Sequence, residues 1–159
     1  MLVAVAGLPG AGKSAVAEAL GRKSAAPVVS VDPIEAAMRR AGTGPEQPTG
    51  LAAYAVAEAV AEAVADGVPA PGQHVIVDAA NAVEAARGQW RAPASRHGGS
   101  ALFPEAACPD PELHRRRLAG RSRGIADFPE PTRAPVQWLR AEFEPRPART
   151  PARANPGPR

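Results

Sequence analysis

Gly7-Leu-Pro-Gly-Ala-Gly-Lys-Ser14 matches the pattern G-x-x-x-x-G-K-[ST], and the rest of the chain orders itself around it. An unbroken apolar run, Leu2-Val-Ala-Val-Ala6, comes immediately before. Such a run suits a strand buried on both faces of a parallel sheet. Lys13–Arg22 follows with the composition of a helix. Glycines let the main chain wrap closely around phosphate oxygens, where a Cβ would collide. The resulting nest of N–H groups, backed by a helix N-terminus, supplies fixed positive potential for an anion. Gly7, Leu8, Pro9, Gly10, Ala11, Gly12, Lys13, Ser14 and Ala15 are therefore the expected phosphate cradle. Lys13 is expected to reach the β- and γ-phosphates of a nucleotide and the Ser14 hydroxyl to ligate Mg²⁺. Lysine is scarce here, Lys13 and Lys23 being the only two, yet one occupies the required position.

Outward from the loop, Pro27-Val-Val-Ser-Val31 and His74-Val-Ile-Val-Asp78 repeat the signature of a buried strand. Helices are expected between them, over Pro33–Arg40 and Leu51–Asp66. In the second of these Val56, Val60 and Val64 fall four apart on one face, Glu58 and Glu62 lie on the other, and Gly67 is the stop. A further helix is expected from Ala82 to about Arg91, with Asn81 as its cap and Glu84 three residues later. Alternating strand and helix implies an α/β three-layer sandwich, with a parallel sheet of four or five strands flanked by helices. The fourth strand belongs over Ala101–Cys108, although Pro104 cannot donate to a ladder; without a fifth strand the fourth becomes an edge, where a proline is tolerated. Asp110-Pro111-Glu112 opens a helix with a cap, a proline at the first position and an acid in the first turn. Thr132 is expected to cap a last helix reaching about Glu142. The expected domain is residues 1–142, followed by a Pro/Arg-rich tail over 143–159 without periodicity.

Composition narrows the class. The 159 residues are 45% hydrophobic but only 4% aromatic, so the core must rest on Val, Leu, Ile and Ala. The net charge of +3 comes from the tail, where residues 143–159 hold Arg146, Arg149, Arg153 and Arg159 against Glu144 alone. A neutral body with few aromatics argues against a nucleic-acid partner without excluding it. One cysteine, Cys108, rules out an internal disulfide and is expected to be a small apolar filler. Nothing resembles a signal peptide or a membrane span, so the expected location is the cytoplasm. His74, His97 and His114 lack metal-ligand spacing and are expected at the surface or in turns.

The loop, then Ser30-Val-Asp32, then Val75-Ile-Val-Asp78, then an arginine-rich helix together resemble the small P-loop kinases and AAA-type ATP-binding proteins, closest to the polynucleotide-kinase-like and zeta-toxin-like branch. The resemblance covers about residues 1–142 and implies ATP and Mg²⁺. It implies that Asp32 takes the proton from an acceptor hydroxyl or helps hold Mg²⁺, and that Asp78, in a Walker-B-like position, acts on Mg²⁺ through water. From sequence alone Asp32 is equally suited to cap the following helix, with Pro33 and Glu35 after it. The cluster Arg115, Arg116, Arg117, Arg121 and Arg123 resembles the kinase lid, whose arginines close over the phosphates. Arg117 and Arg121, four apart, are expected on one helix face. Two departures stand out: polynucleotide kinases carry an arginine where this chain has Glu35, and residues 143–159 offer no apolar run for a fifth strand.

The expected function is transfer of the ATP γ-phosphate to a hydroxyl of a small molecule, with Lys13, Asp32, Arg117 and Arg121 as the catalytic set. One alternative is a nucleotide-binding protein with little turnover, built on an incomplete kinase fold. The other is a kinase acting on polynucleotide 5′-hydroxyls. No N-K-x-D or T-K-x-D guanine-reading motif and no L-S-G-G-Q signature occurs, which argues against a GTPase and an ABC-type ATPase.

Overall fold

The four apolar runs become the strands of one parallel sheet. The structure, a computed structural model, describes residues 1–44, 46–67, 74–122, 124–125 and 133–144. Its strands are β1 (Leu2–Val5), β2 (Val28–Ser30), β3 (Val75–Asp78) and β4 (Ala101–Leu102), in the spatial order β2-β3-β1-β4. Val5 and Ser30 both lie opposite Asp78, so the carboxyl ends of β1, β2 and β3 stand side by side. Parallel neighbours need long crossovers, and here these are helical. α1 (Lys13–Ser24) joins β1 to β2; α2 (Val31–Arg40) and α3 (Thr49–Gly67) join β2 to β3; α4 (Glu84–Gly88) and α5 (Arg91–Arg96) join β3 to β4. α6 (Pro111–Ala119) and α7 (Arg133–Ala141) follow.

The sheet buries both faces. On one, Val5 and Ile76 pack against Ala17 of α1, with Val3, Leu20 and Ala26 at the margin. On the other, Leu2, Ala4, Val29, Val75 and Val77 meet Ala53, Ala57 and Ala61 of α3, together with Trp90 and Ala94. The valine face expected to form the core of α3 is therefore not its core face. Val56 and Val60 remain 43% and 40% exposed, whereas Ala53 and Ala57 are fully buried. Methyl side chains let the helix lie close to the sheet, and the larger Tyr54 and Val64 fill the border. Glu58 and Glu62 both face Arg96 of α5.

Three further expectations change. α2 begins at Val31 with Ser30 as its cap residue, so Asp32 sits in the first turn and is not the cap. The stretch 82–91 is not one helix capped by Asn81; it splits into α4, whose cap residue is Val83, and α5. Pro93 accounts for the split, because a helix running through it would need an N–H donating to the Gln89 carbonyl. β4 is short, yet the chain stays beside β1 through an Ala6↔Glu105 bridge, and Ala6 donates to the Pro104 carbonyl at 2.9 Å. Among the described residues β4 is the sheet edge, as its proline suggested.

Asp110 caps α6 as expected, accepting from the Glu112 and Leu113 amides at 2.9 and 3.2 Å with Pro111 behind it. Thr132 and the tail from 145 lie outside the described residues. Glu144, two residues past the expected domain end, still bonds to the body: its amide donates to the Ala82 carbonyl at 3.0 Å. No helix among the described residues is long and apolar enough to cross a membrane.

Candidate nucleotide-binding site

Where β1 ends, its chain is gripped from both sides. Gly7 donates its amide to the Ala80 carbonyl at 3.0 Å, while Ala106 donates to the Ala6 carbonyl at 2.8 Å. Gly7 has φ +146°, and a Cβ there would lie 2.4 Å from the Ala106 carbonyl oxygen. Only glycine fits. The loop then closes on itself, with Ala11 donating to the Leu8 carbonyl at 3.1 Å, and Gly12 precedes α1 in the left-handed region. The Lys13 ammonium, on a largely buried residue, reaches back across the loop to the Leu8 carbonyl at 3.3 Å.

Residues far apart in sequence line one cavity of about 460 Å³: Gly10, Gly12, Lys13, Ser14 and Ala15 from the loop, Asp32 from α2, Asp78 from β3, and Arg117 and Arg121 from α6 and beyond. The remaining loop positions, Gly7, Leu8, Pro9 and Ala11, frame the turn without lining it. Sheet register explains the convergence, since Ser30 and Asp78 are paired at the carboxyl ends of their strands, where ligands of open α/β sheets bind. Arg121 stands 3.7 Å from the Asp32 carboxylate, which is 43% exposed against 15% for the arginine. The two arginines do not share a helix face: α6 ends at Ala119, and Arg121 reaches the cavity from the segment after Gly120. Arg115 pairs instead with Glu112 on the helix surface, and Arg123 lies outside the described residues. Cys108 is half-buried beside Arg117, with Sγ 3.9 Å from its guanidinium.

Behind the cavity lies a buried polar frame that sequence reading missed. Asn81, fully buried with φ +46°, donates Nδ2 to the Val5 carbonyl and accepts the Trp90 indole N–H, both at 2.9 Å. Its own amide donates to the Tyr54 hydroxyl at 3.0 Å. Burial pushes the Tyr54 phenol up to about 12, the Asp32 and Asp78 charges add to the rise, and N–H donors from Asn81 and Ala80 oppose it. Arg87, 2% exposed, donates to the Asn81 and Ala82 carbonyls. Beside it, hydrogen bonds from Arg91 and then Arg87 hold the Glu84 carboxyl below its usual range. Glu35 accepts from Arg39 and Thr49 and so ties α2 to α3. His114, expected at the surface or in a turn, is buried against the loop, with Nε2 2.7 Å from the Pro9 carbonyl. Its position three residues before Arg117 on α6 was the available signal. His97 is on the surface as expected, 3.6 Å from Asp66.

Residues 2–146 match the model of a family described as an AAA domain. The chain belongs to the AAA domain family. This agrees with the small P-loop kinase and AAA-type resemblance carried by its motifs. Among solved structures, this AAA domain is similar to Kti12 of Chaetomium thermophilum in complex with ADP-AlF3, at 21% identity and TM-score 0.68, over 91% of this chain and 81% of that one. It is similar to a gluconokinase from Sinorhizobium meliloti 1021, at 18% identity and TM-score 0.60, over 93% and 77% of the two chains. The Mycobacterium tuberculosis APS kinase CysC with AMPPNP and APS matches at 21% identity and TM-score 0.56, over 83% of each chain. At these identities the likeness establishes a shared fold. No curated protein matches the chain in sequence.

The donor set of this AAA domain fits a magnesium ion. Ser14, Asp32 and Asp78 offer hard oxygens to one cavity, and among the described residues no three His, Cys, Asp or Glu side chains gather into a metal site. Magnesium usually takes one or two carboxylates together with substrate phosphates, in place of an all-protein cage.

Proposed function

We propose that this AAA domain is an ATP-dependent phosphotransferase that moves the γ-phosphate to a hydroxyl of a small molecule. The observation that supports it is the meeting, in one cavity, of a phosphate loop, two carboxylates and two arginines. Loop amides and Lys13 bind the phosphates and neutralise charge that develops on them. Arg117 and Arg121 line the same cavity and neutralise charge from there, Arg121 standing beside the Asp32 carboxylate. Asp32, the more exposed of that pair, takes the proton from the acceptor hydroxyl. Bound through Ser14 and Asp78, with Asp32 left free as the base, Mg²⁺ would neutralise phosphate charge. Such chemistry suits a cytoplasmic protein, where ATP is abundant and a lone thiol stays reduced.

The test is Mg²⁺-dependent ATP consumption across a panel of sugars, nucleosides, small acids, antibiotics and 5′-hydroxyl oligonucleotides. One small acceptor should raise turnover well above the background. Asp32→Asn should then lower kcat by about 10²-fold or more while ATP affinity changes little, and Lys13→Ala should weaken ATP binding. ATP-induced thermal stabilisation with no stimulating acceptor would favour a binding protein, and labelled oligonucleotides would favour a polynucleotide kinase.

A further inference from the structure

The His114 imidazole lies between two groups whose hydrogen-bonding roles are fixed. Nε2 is 2.7 Å from the Pro9 carbonyl oxygen in the loop, and Nδ1 is 2.7 Å from a terminal nitrogen of Arg140 on α7. A carbonyl only accepts and a guanidinium only donates. One form of the ring satisfies both: neutral, with its hydrogen on Nε2. The residue is 6% exposed, and its ring closes against the loop, since a Cβ on Gly10 would meet Cδ2 of His114 at 3.2 Å.

We propose that His114 is a positioning residue that holds the phosphate loop in its anion-binding shape and keeps Arg117 in register with it, and that Arg140 acts through His114 by holding its ring in place. This rests on reading Gly7–Ser14 as a phosphate cradle. Carbonyl and amide of one trans peptide point in opposite directions. Drawing the Pro9 carbonyl toward α6 therefore turns the Gly10 N–H away from α6. Gly10, at φ +81°, offers little steric resistance to rotation of that peptide, so a specific hydrogen bond has to hold it. The same helix carries Arg117 three residues later to the cavity wall. His114 thus anchors loop and arginine to each other, and Arg140 extends the link to α7.

The experiment uses the full chain. Two-bond proton–nitrogen correlation spectra of the nucleotide-free protein read the His114 tautomer, its signal being assigned by its loss in His114→Gln. Calorimetry reads ATP·Mg²⁺ affinity. The wild type should show the hydrogen on Nε2, and Arg140→Ala, which leaves Nδ1 without its donor, should loosen the ring, shift the Gly10 amide resonance and weaken ATP binding about threefold. His114→Ala should weaken it about tenfold. His114→Gln should recover most of that loss, because its amide donates to Pro9 while its oxygen accepts from Arg140. A hydrogen on Nδ1 in the wild type would overturn the proposal, and so would equal ATP affinity in His114→Ala and wild type, or equal losses in His114→Ala and His114→Gln. Should His114→Ala fail to fold, His114→Gln and Arg140→Ala carry the decision. If the wild type binds no ATP, the nucleotide reading fails by itself, while the tautomer and the Gly10 shift still decide whether His114 holds the loop.

Discussion

Replacing Asn81 with alanine removes three things at once. The Val5 carbonyl loses its Nδ2 donor and the Trp90 indole loses its Oδ1 acceptor, both inside a fully buried environment. Each orphaned group costs about 1–3 kcal/mol. The backbone at φ +46° then carries a residue that resists the left-handed region by roughly 1–2 kcal/mol. The sum, about 3–8 kcal/mol, is a large part of the roughly 5–15 kcal/mol that holds an ordinary domain together. The expected fall in Tm is on the order of 10 °C. Urea titration followed by far-UV circular dichroism measures the loss, and Trp90 emission reports whether the indole gains water. Asn81→Gly separates the components, since it loses both hydrogen bonds but accepts the backbone, and should be more stable than Asn81→Ala by about 1 kcal/mol. Asn81→Asp keeps the acceptor for Trp90 while setting a carboxylate against the Val5 carbonyl, and should be no better than alanine. An Asn81→Ala protein whose unfolding free energy stays within about 0.5 kcal/mol of wild type, the range of an ordinary surface change, would refute the reasoning.

Gly7→Ala should abolish nucleotide binding measured by calorimetry and lower the thermal midpoint, because its Cβ would lie 2.4 Å from a backbone oxygen with no flexible side chain to yield; normal binding would mean the loop entry is built differently. Tyr54 makes a pH prediction. Its raised pKa of about 12 means the folded state favours the neutral phenol more than the unfolded chain does. The associated stability is full below about pH 10, the ordinary tyrosine value, and is lost as pH rises through the folded value. Each unit in that window removes up to about 1.4 kcal/mol. As Tyr54 is the only tyrosine, ultraviolet absorbance follows its ionisation without interference, and a midpoint near 10 in the folded protein would contradict the burial. Tyr54→Phe should flatten the alkaline loss.

The sequence-level reading of the loop needed no tertiary information. The G-x-x-x-x-G-K-S spacing, a preceding apolar run and a following helix are local features, and the backbone physics of a phosphate nest is local too. Strand positions at 2–5, 28–30 and 75–78 were legible because parallel strands covered on both faces read as near-continuous apolar runs, broken here only by Ser30 and Asp78 at their carboxyl ends. Helix faces were harder. In α3 Ala and Val alternate so densely that periodicity could not say which row faces the sheet, and the close approach that methyl groups permit decided for Ala53, Ala57 and Ala61.

By itself, then, the chain determined a strand–loop–helix of the P-loop pattern at its start and the strand–helix alternation around it, since both depend on neighbours in sequence. Tertiary structure alone decided which distant groups meet the loop. Asn81 reads as a helix cap until β3 and β1 lie side by side and bring the Val5 carbonyl to its amide. His114 reads as a surface residue until α6 packs on Pro9. Both are polar groups without a local partner. Removed from water, such groups must find partners wherever the fold supplies them, and no spacing along the chain encodes that.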